Sequence, residues 1–107
     1  MTNDSVIHSG RKLTILRQRL GVTREELKDG EGFPKVDLRT LARWEQNGIP
    51  PIWLKKISEF FSLEYWLLFD DRMSEEQFKT YLILPDELKK EFQLRYGRFL
   101  LEKIFNE

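Results

Sequence analysis

Residues that end helices recur at short intervals through the first seventy positions. They are Gly21, Gly30, Gly32, Pro34, Gly48, Pro50 and the pair Asp70–Asp71. Glycine can adopt the left-handed backbone that closes a helix, and proline cannot continue one. Between these positions apolar residues recur every three or four residues, and nothing alternates with the period of two expected of a strand. This part of the chain is therefore predicted to be all-α, with five short helices in residues 9–69.

The first two predicted helices carry start signals. Ser9 can cap a helix over Gly10–Leu20. Its inward stripe consists of Leu13, Leu16 and Leu20. Thr23, followed three residues later by Glu26, is a capping box that begins a short second helix with Leu27 turned inward.

The third predicted helix, Leu38–Asn47, has the side chains of a helix that reads DNA. Asp37 can cap its start, and Gly48 can close its end in the left-handed conformation. One side of the helical wheel carries Leu38, Leu41, Ala42 and Trp44, and the other carries Arg39, Thr40, Arg43 and Gln46. Guanidinium and amide groups recognise base edges in the major groove. An ordinary amphipathic helix with a basic solvent face would show the same pattern, so the neighbouring segments must decide.

The next two segments are also predicted to be helical. Pro51 suits the first turn of a helix over Ile52–Phe61. Ser62 can cap a short, very apolar helix over Leu63–Phe69. These segments complete the five helices of residues 9–69.

Residues 70–107 are predicted to form a helical C-terminal extension. Ser74–Gln77 is a second capping box, and Thr80–Leu84 either ends that helix or forms a short strand. Pro85 opens a long helix that extends to about Asn106. Apolar residues at helical spacing along it include Leu88, Phe92, Tyr96, Phe99 and Leu100. This helix is expected either to pack on residues 9–69 or to form a dimer interface.

The charge is neutral overall but unevenly distributed. The 18 basic residues balance 18 acidic ones, which argues weakly against a nucleic-acid-binding protein. Residues 1–48 hold nine basic and seven acidic residues, whereas residues 49–107 hold nine and eleven. The positive charge therefore lies near the candidate DNA-reading helix, and a local basic patch is what contact with phosphate requires.

Several classes of function lack the residues they need. There is no cysteine, and the only histidine, His8, falls in a lead-in (residues 1–8) that is expected to be flexible. We therefore expect no catalytic residues, no metal site and no cofactor. No apolar run approaches the roughly 20 residues of a membrane span, so no membrane contact is expected. The N-terminus has no signal-peptide pattern, and a cytoplasmic location is expected.

One known family resembles this arrangement. Gly10–Leu27 resembles, without a gap, the opening of the Cro/phage-repressor type of helix-turn-helix domain. Leu41–Glu45 is similar to the end of that family's recognition helix, and its fourth and fifth helices are similar to Lys56–Phe61 and Tyr65–Leu68. The joint at Gly48–Pro50 is most similar to phage immunity-repressor versions. The resemblance implies a five-helix lambda-repressor-like domain over residues 9–69.

The sequence departs from this family at three places. The segment from Leu27 to Asp37 is about three residues longer than the tight turn expected between the second and third helices. Arg24 stands where the family usually has a glutamine that touches phosphate, and arginine can make the same contact. The Ile49–Pro51 loop lacks the basic residues that often contact the DNA backbone in this family. The longer loop leaves open the angle at which Leu38–Asn47 is presented.

The resemblance implies roles for individual residues. Arg39, Thr40 and Arg43 would face bases, and Leu38 would touch a thymine methyl if it turns outward. The residues implied in phosphate contact are Arg24, Lys35, Gln46 and Asn47. The family also implies a transcriptional regulator, a repressor in its usual form, that binds double-stranded DNA as a homodimer on a two-fold operator.

Two alternatives stay open at this point. A winged helix-turn-helix protein of the mercury-regulator or excisionase kind would suit Arg39–Pro50, but it needs a hairpin next, and the sequence supplies a helical pattern. An antitoxin or protein-interaction module would keep the fold and bind a protein partner through the C-terminal region. The second alternative would account for the neutral charge.

Overall fold

The computed structural model describes the backbone of residues 5–105 and the side chains of residues 5–98. Over this range the fold is all-α, as predicted, and its single β-bridge joins Val6 to Ser74. The helices are α1 (Ser9–Leu20), α2 (Arg24–Lys28), α3 (Leu38–Asn47), α4 (Pro51–Phe60), α5 (Tyr65–Phe69), α6 (Glu75–Ile83) and α7 (Asp86–Phe105). In the undecided stretch Thr80–Leu84, the residues up to Ile83 form the end of α6, and Leu84 follows the helix in an extended conformation. Residues 1–4 of the expected lead-in and the side chains of Phe99 and Leu100 lie outside the described part.

Four of the predicted helix starts are used in the structure. Thr23 and Ser74 each form a complete capping box at the start of α2 and α6. The Asp37 carboxylate accepts the Thr40 backbone N–H at 2.7 Å, and Pro51 is the first residue of α4. Each of these caps satisfies backbone N–H groups that have no partner inside the helix.

The predicted cap of α1 is wrong, because His8 takes that position. His8 Nδ1 accepts the backbone N–H groups of Gly10 and Arg11 at 2.9 and 3.2 Å. Ser9 is already helical, and its hydroxyl accepts the Ile49 N–H at 2.8 Å. The expectation of a flexible lead-in is also wrong for residues 7 and 8, because the Ile7 N–H donates to the Met73 carbonyl at 3.0 Å. The start of α1 is thus fixed by contacts distant in sequence.

Three smaller expectations also differ from the structure. Gly48 has a positive φ of 110° with an extended ψ of 154°. This backbone conformation favours glycine, but it is not the left-handed cap that was predicted. Ser62 does not start α5; it takes a φ of 55° in the turn that ends α4, where its N–H donates to Glu59. Leu20 is 56% exposed, because it lies in the last turn of α1 beyond the edge of the core.

One hydrophobic core joins the two parts of the chain. It contains Leu13, Leu41, Ile57 and Leu67 from residues 9–69, and Met73, Phe78, Tyr81 and Tyr96 from the C-terminal part. The rings of Trp66, Tyr81, Phe92 and Tyr96 contact one another, with centroids 5.5 to 6.1 Å apart. The first half of α7 therefore packs against the rest of the molecule, as one of the two expectations for this helix required.

The enlarged loop between α2 and α3 is anchored to the same core. Phe33 is 3% exposed, Pro34 is fully buried, and the Phe33 ring meets the edge of Phe60 with centroids 5.2 Å apart. Gly32 takes a φ of 90°, which only glycine adopts without strain. The extra residues of this loop therefore form a packed segment that leads into α3.

A buried lysine connects α1 to the end of α5. Lys12 is fully buried, and its ammonium donates to the carbonyl of Leu67 at 2.7 Å and to that of Asp70. It also lies 5.7 Å from the centre of the Phe78 ring. Carbonyls in the last turn of a helix lack partners inside it, and a cation there also favours the helix dipole. Lys12 thus closes α5 at the point where the C-terminal part begins.

Candidate nucleic-acid interface

Helix α3 has one buried face and one polar face. Leu41 is fully buried, and Trp44 is 5% exposed and contacts the Trp53 ring with centroids 6.0 Å apart. Arg39, Arg43, Gln46 and Asn47 are exposed, and Thr40 is partly so. The predicted wheel therefore holds, except that Leu38 is 40% exposed, as its proposed contact with a thymine methyl would require. The polar face carries two guanidiniums and two amides that can meet an external partner.

A buried carboxylate fixes α3 against α1 and α2. The Glu45 side chain is only 3% exposed and accepts Arg17 Nε at 2.7 Å and Arg24 Nε at 2.8 Å. Arg17 donates to the same carboxylate a second time, at 3.3 Å, and its remaining Nη1 donates to the Val22 carbonyl at 3.0 Å. Two opposite charges and four hydrogen bonds compensate the desolvation of Glu45 and Arg17. One residue of α3 thereby sets the position of all three helices.

The backbone of the last turn of α3 also lies against the start of α1. A Cβ built on Gly10 would overlap the carbonyl oxygen of Trp44 and lie 2.7 Å from that of Glu45. Only glycine permits this approach of the two backbones. The hydrogen bond from Ile49 N to the Ser9 hydroxyl continues the same junction. The last turn of α3 is therefore fixed to α1 by its backbone as well as by the Glu45 side chain.

The predicted site residues fall into separate groups. Arg24, Leu38 and Arg39 line one groove between α2 and α3, together with Arg17, Thr23, Glu25 and Ala42. Lys35 lines a cavity of the enlarged loop, and Asn47 lines a cavity near His8 at the opposite end of α3. The structure thus brings together three of the eight predicted residues in one groove.

Acidic residues accompany this surface. Glu25, Asp29 and Glu31 are exposed in α2 and the loop after it. Hydrogen bonds from Thr40 hold the pKa of Asp37 below its usual value, with smaller contributions from Arg39 and Arg43. The N-terminus of α3 is consequently occupied by the chain's own carboxylate, and the basic groups available to a ligand are side chains.

The described part of the chain offers little for other kinds of chemistry. Within residues 5–98, whose side chains the structure describes, no cluster of three or more His, Cys, Asp or Glu side chains could hold a metal ion. No described helix has the length and apolar character needed to cross a membrane. After α3 the chain enters α4 directly, so the hairpin wing required by one alternative is not found there.

The sequence interpretation missed two residues that organise the site. Glu45 lies seven residues after Leu38 and four after Leu41, which is the spacing of the inward face, so the helical wheel contained a signal for its burial. The role of Gly10 could not be predicted from the sequence, because it depends on how closely the carbonyls of α3 approach. Arg24 was expected to contact phosphate, but its engagement with Glu45 could not be predicted without knowing that Glu45 is buried.

Comparison with protein-family models, with curated proteins and with solved structures gave no significant match.

Proposed function

We propose that the protein is a sequence-specific double-stranded-DNA-binding regulator with a lambda-repressor-like helix-turn-helix domain over residues 9–69. The observation that carries this proposal is α3, whose exposed Arg39, Arg43, Gln46 and Asn47 form one polar face. The two guanidiniums supply donors that base edges in the major groove accept, and the amides of Gln46 and Asn47 can donate to phosphates. In this proposal α3 is the recognition helix, and the protein acts as a cytoplasmic repressor.

The rigidity of α3 supports the same proposal. Recognition of a base edge requires side chains placed with the precision of a hydrogen bond. Glu45 binds α3 to α1 and α2, and Gly10 holds its end against α1. An ordinary solvent-facing amphipathic helix does not need a buried carboxylate shared by two arginines.

The proposed contacts divide by type. Arg39 and Arg43, with Thr40 and Leu38, would read bases, and Arg24, Lys35, Gln46 and Asn47 would contact phosphates. The protein would bind as a homodimer, because a two-fold operator with half-sites about one helical turn apart matches a two-fold protein. The acidic groups of the loop would restrict how closely it approaches the DNA backbone.

The decisive experiment is binding of labelled duplex DNA by the full chain, followed by selection from a random duplex pool. We expect binding at low salt, a steep loss of affinity as salt rises, and enrichment of two-fold symmetric sequences. Arg43→Ala should cost roughly 1–3 kcal/mol of operator affinity and relax the preference at one base position. If no duplex binds at low salt, the proposal is rejected.

A second candidate is a protein-interaction module or antitoxin that uses its C-terminal part. The observation that favours it is the exposure of large apolar side chains there: Ile83 is 70% and Leu94 74% exposed. Exposed apolar groups of this size are typical of interaction surfaces when they are contiguous. Loss of duplex binding in the first experiment would leave this candidate as the better one.

A further inference from the structure

We propose that the groove between α2 and α3 binds one DNA phosphodiester group, with Arg24 and Arg39 as its ligands and Glu45 as the positioning residue. This inference rests on the proposed function. It moves Arg39 from the base-reading set, where the sequence resemblance placed it, to the set that contacts the backbone. Of the two arginines of α3, only Arg43 then recognises bases.

The first step is the way in which Arg24 is held. Its Nε donates to Glu45 at 2.8 Å, while 47% of the side chain stays exposed. Within the part of the chain that the structure describes, no hydrogen bond engages its two terminal Nη groups. Arg17 differs, because its Nε and both Nη groups are bound and its side chain is 15% exposed. Glu45 therefore fixes one edge of Arg24 and leaves the other donors for a ligand.

The second step is the composition of the groove. Arg24 and Arg39 line it from α2 and α3, and Leu38 and Ala42 supply its apolar lining. A phosphate accepts paired N–H groups from guanidinium more readily than from any other side chain. Glu25 also lines the groove, and because it is exposed its carboxylate can turn into solvent.

The third step is the balance of charge. Three arginines line the groove, Arg17 being neutralised by the Glu45 carboxylate beneath it. With Glu25 counted as well, the side chains that line the groove and Glu45 together carry one net positive charge, and the nearby Asp37 carboxylate reduces the positive potential at Arg39. Arg43 does not line this groove and is exposed one helical turn farther along α3. The two arginines of α3 thus share Asp37 as a neighbour but differ in that only Arg39 lines the groove, and we expect them to have different roles.

The test compares Arg39→Ala with Arg43→Ala in duplex binding by the full chain. Removing one phosphate contact lowers the slope of log affinity against log salt by about 0.9, so between roughly 50 and 200 mM salt the wild type should lose about 3.5-fold more affinity than Arg39→Ala. Sequence preference from a random pool should stay unchanged in Arg39→Ala and relax at one position in Arg43→Ala. Arg95→Ala, which removes a positive charge from α7, is the matched control and should leave the slope unchanged.

A double-mutant cycle tests the positioning role of Glu45. Glu45→Gln should weaken duplex binding severalfold in the wild type and by a clearly smaller factor in Arg24→Gln, because the part of its influence that passes through Arg24 is already lost there. Each variant is first checked for native helix content by circular dichroism at the temperature of the assay. A Glu45 that merely supports the fold would lower affinity by the same factor in both backgrounds, and that result would overturn the positioning role.

The outcomes separate this inference from the proposed function. A wild type that binds no duplex overturns both. A wild type that binds, with an Arg39→Ala variant that keeps the full salt slope and changes preference at a base position, overturns only the phosphate assignment. A lowered slope with unchanged sequence preference supports it.

Discussion

The region around α3 and the region around α7 are each stabilised by a different kind of contact. Around α3 the decisive contacts are directional: the Glu45 carboxylate accepts hydrogen bonds from Arg17 and Arg24. Around α7 they are apolar, and the rings of Trp66 and Tyr96 stack with their centroids 6.1 Å apart. Hydrogen bonds fix orientation within narrow limits, whereas aromatic burial contributes free energy over a wider range of geometry. This difference fits a molecule in which α3 needs a fixed orientation, whereas α7 needs only to stay packed against the other helices.

The largest effect on stability is expected when the aromatic region around α7 is removed. Truncation after Asp71 deletes four buried apolar side chains of the core, namely Met73, Phe78, Tyr81 and Tyr96. Burial of such side chains contributes roughly 6–12 kcal/mol together, which is comparable to the whole stability of a small domain. We expect the truncated chain to lose its cooperative thermal unfolding, measured by circular dichroism.

Truncation after Arg98 is the matched control, because it keeps all four of these residues. A chain ending at Asp71 that unfolds cooperatively at the temperature of the full chain would show that the aromatic region is dispensable for residues 9–69. The same pair of proteins also tests the dimer prediction for α7 by sedimentation, provided that the shorter one folds.

The second prediction concerns the polar contacts around α3, which a substitution of Glu45 removes. Glu45→Ala leaves Arg17 buried without its carboxylate, and loss of one partner of a buried ion pair costs about 3–5 kcal/mol. Chemical denaturation should show this loss in the free energy of unfolding. Glu59→Ala removes an exposed glutamate of α4 and should change stability by no more than about 0.5 kcal/mol. Equal effects of the two variants would mean that Glu45 does not organise the fold.

The residues that mattered in these two regions were predictable to different degrees. Asp37, Thr23 and Ser74 act within four residues of their own position, so their caps were visible in the sequence. The periodic apolar residues likewise predicted the helices and most of the core. The cap formed by His8 is equally local and was missed, because Ser9 offers a commoner capping side chain at the next position. The burial of Glu45 had a signal in the helical wheel, but its pairing with Arg17 and Arg24 depends on residues more than twenty positions away. Local signals predicted the elements, and the contacts between elements required the structure.

The third prediction concerns the junction of α1 and α3. Gly10→Ala forces a methyl group against two backbone carbonyls, which cannot move as a side chain could, and should cost about 1–3 kcal/mol or more. Gly97→Ala is the control, because a methyl group there would meet open space among the described residues, and alanine is the better helix former by about 1 kcal/mol. Denaturation midpoints should therefore shift in opposite directions. A Gly10→Ala variant as stable as the wild type would rule out the close approach.

The smallest effect is expected from pH, and it distinguishes the polar and aromatic contacts within one protein. Burial lowers the pKa of Lys12 from 10.5 to about 8, and burial raises the pKa of Tyr81 from 10.0 to about 12. Between pH 8 and 10 the unfolded chain binds more protons at Lys12 than the folded chain, so stability should rise with pH by about 1–3 kcal/mol. Above pH 10 the unfolded chain loses the Tyr81 proton first, so stability should fall as the pH approaches 12.

Lys12→Met and Tyr81→Phe assign the two limbs of this profile to their residues. Lys12→Met should abolish the rise between pH 8 and 10 and lower stability at every pH, because the Leu67 and Asp70 carbonyls lose their donor. Tyr81→Phe should reduce the fall above pH 10 and leave the rise intact, and the buried Tyr96, whose pKa is also raised by burial, should account for the remaining fall. A rise that survives in Lys12→Met would mean that another group titrates there. Because the rise belongs to Lys12 and the fall to the two buried tyrosines, the pH profile measures the polar contacts at the end of α5 and the aromatic packing of α7 separately, without removing either region.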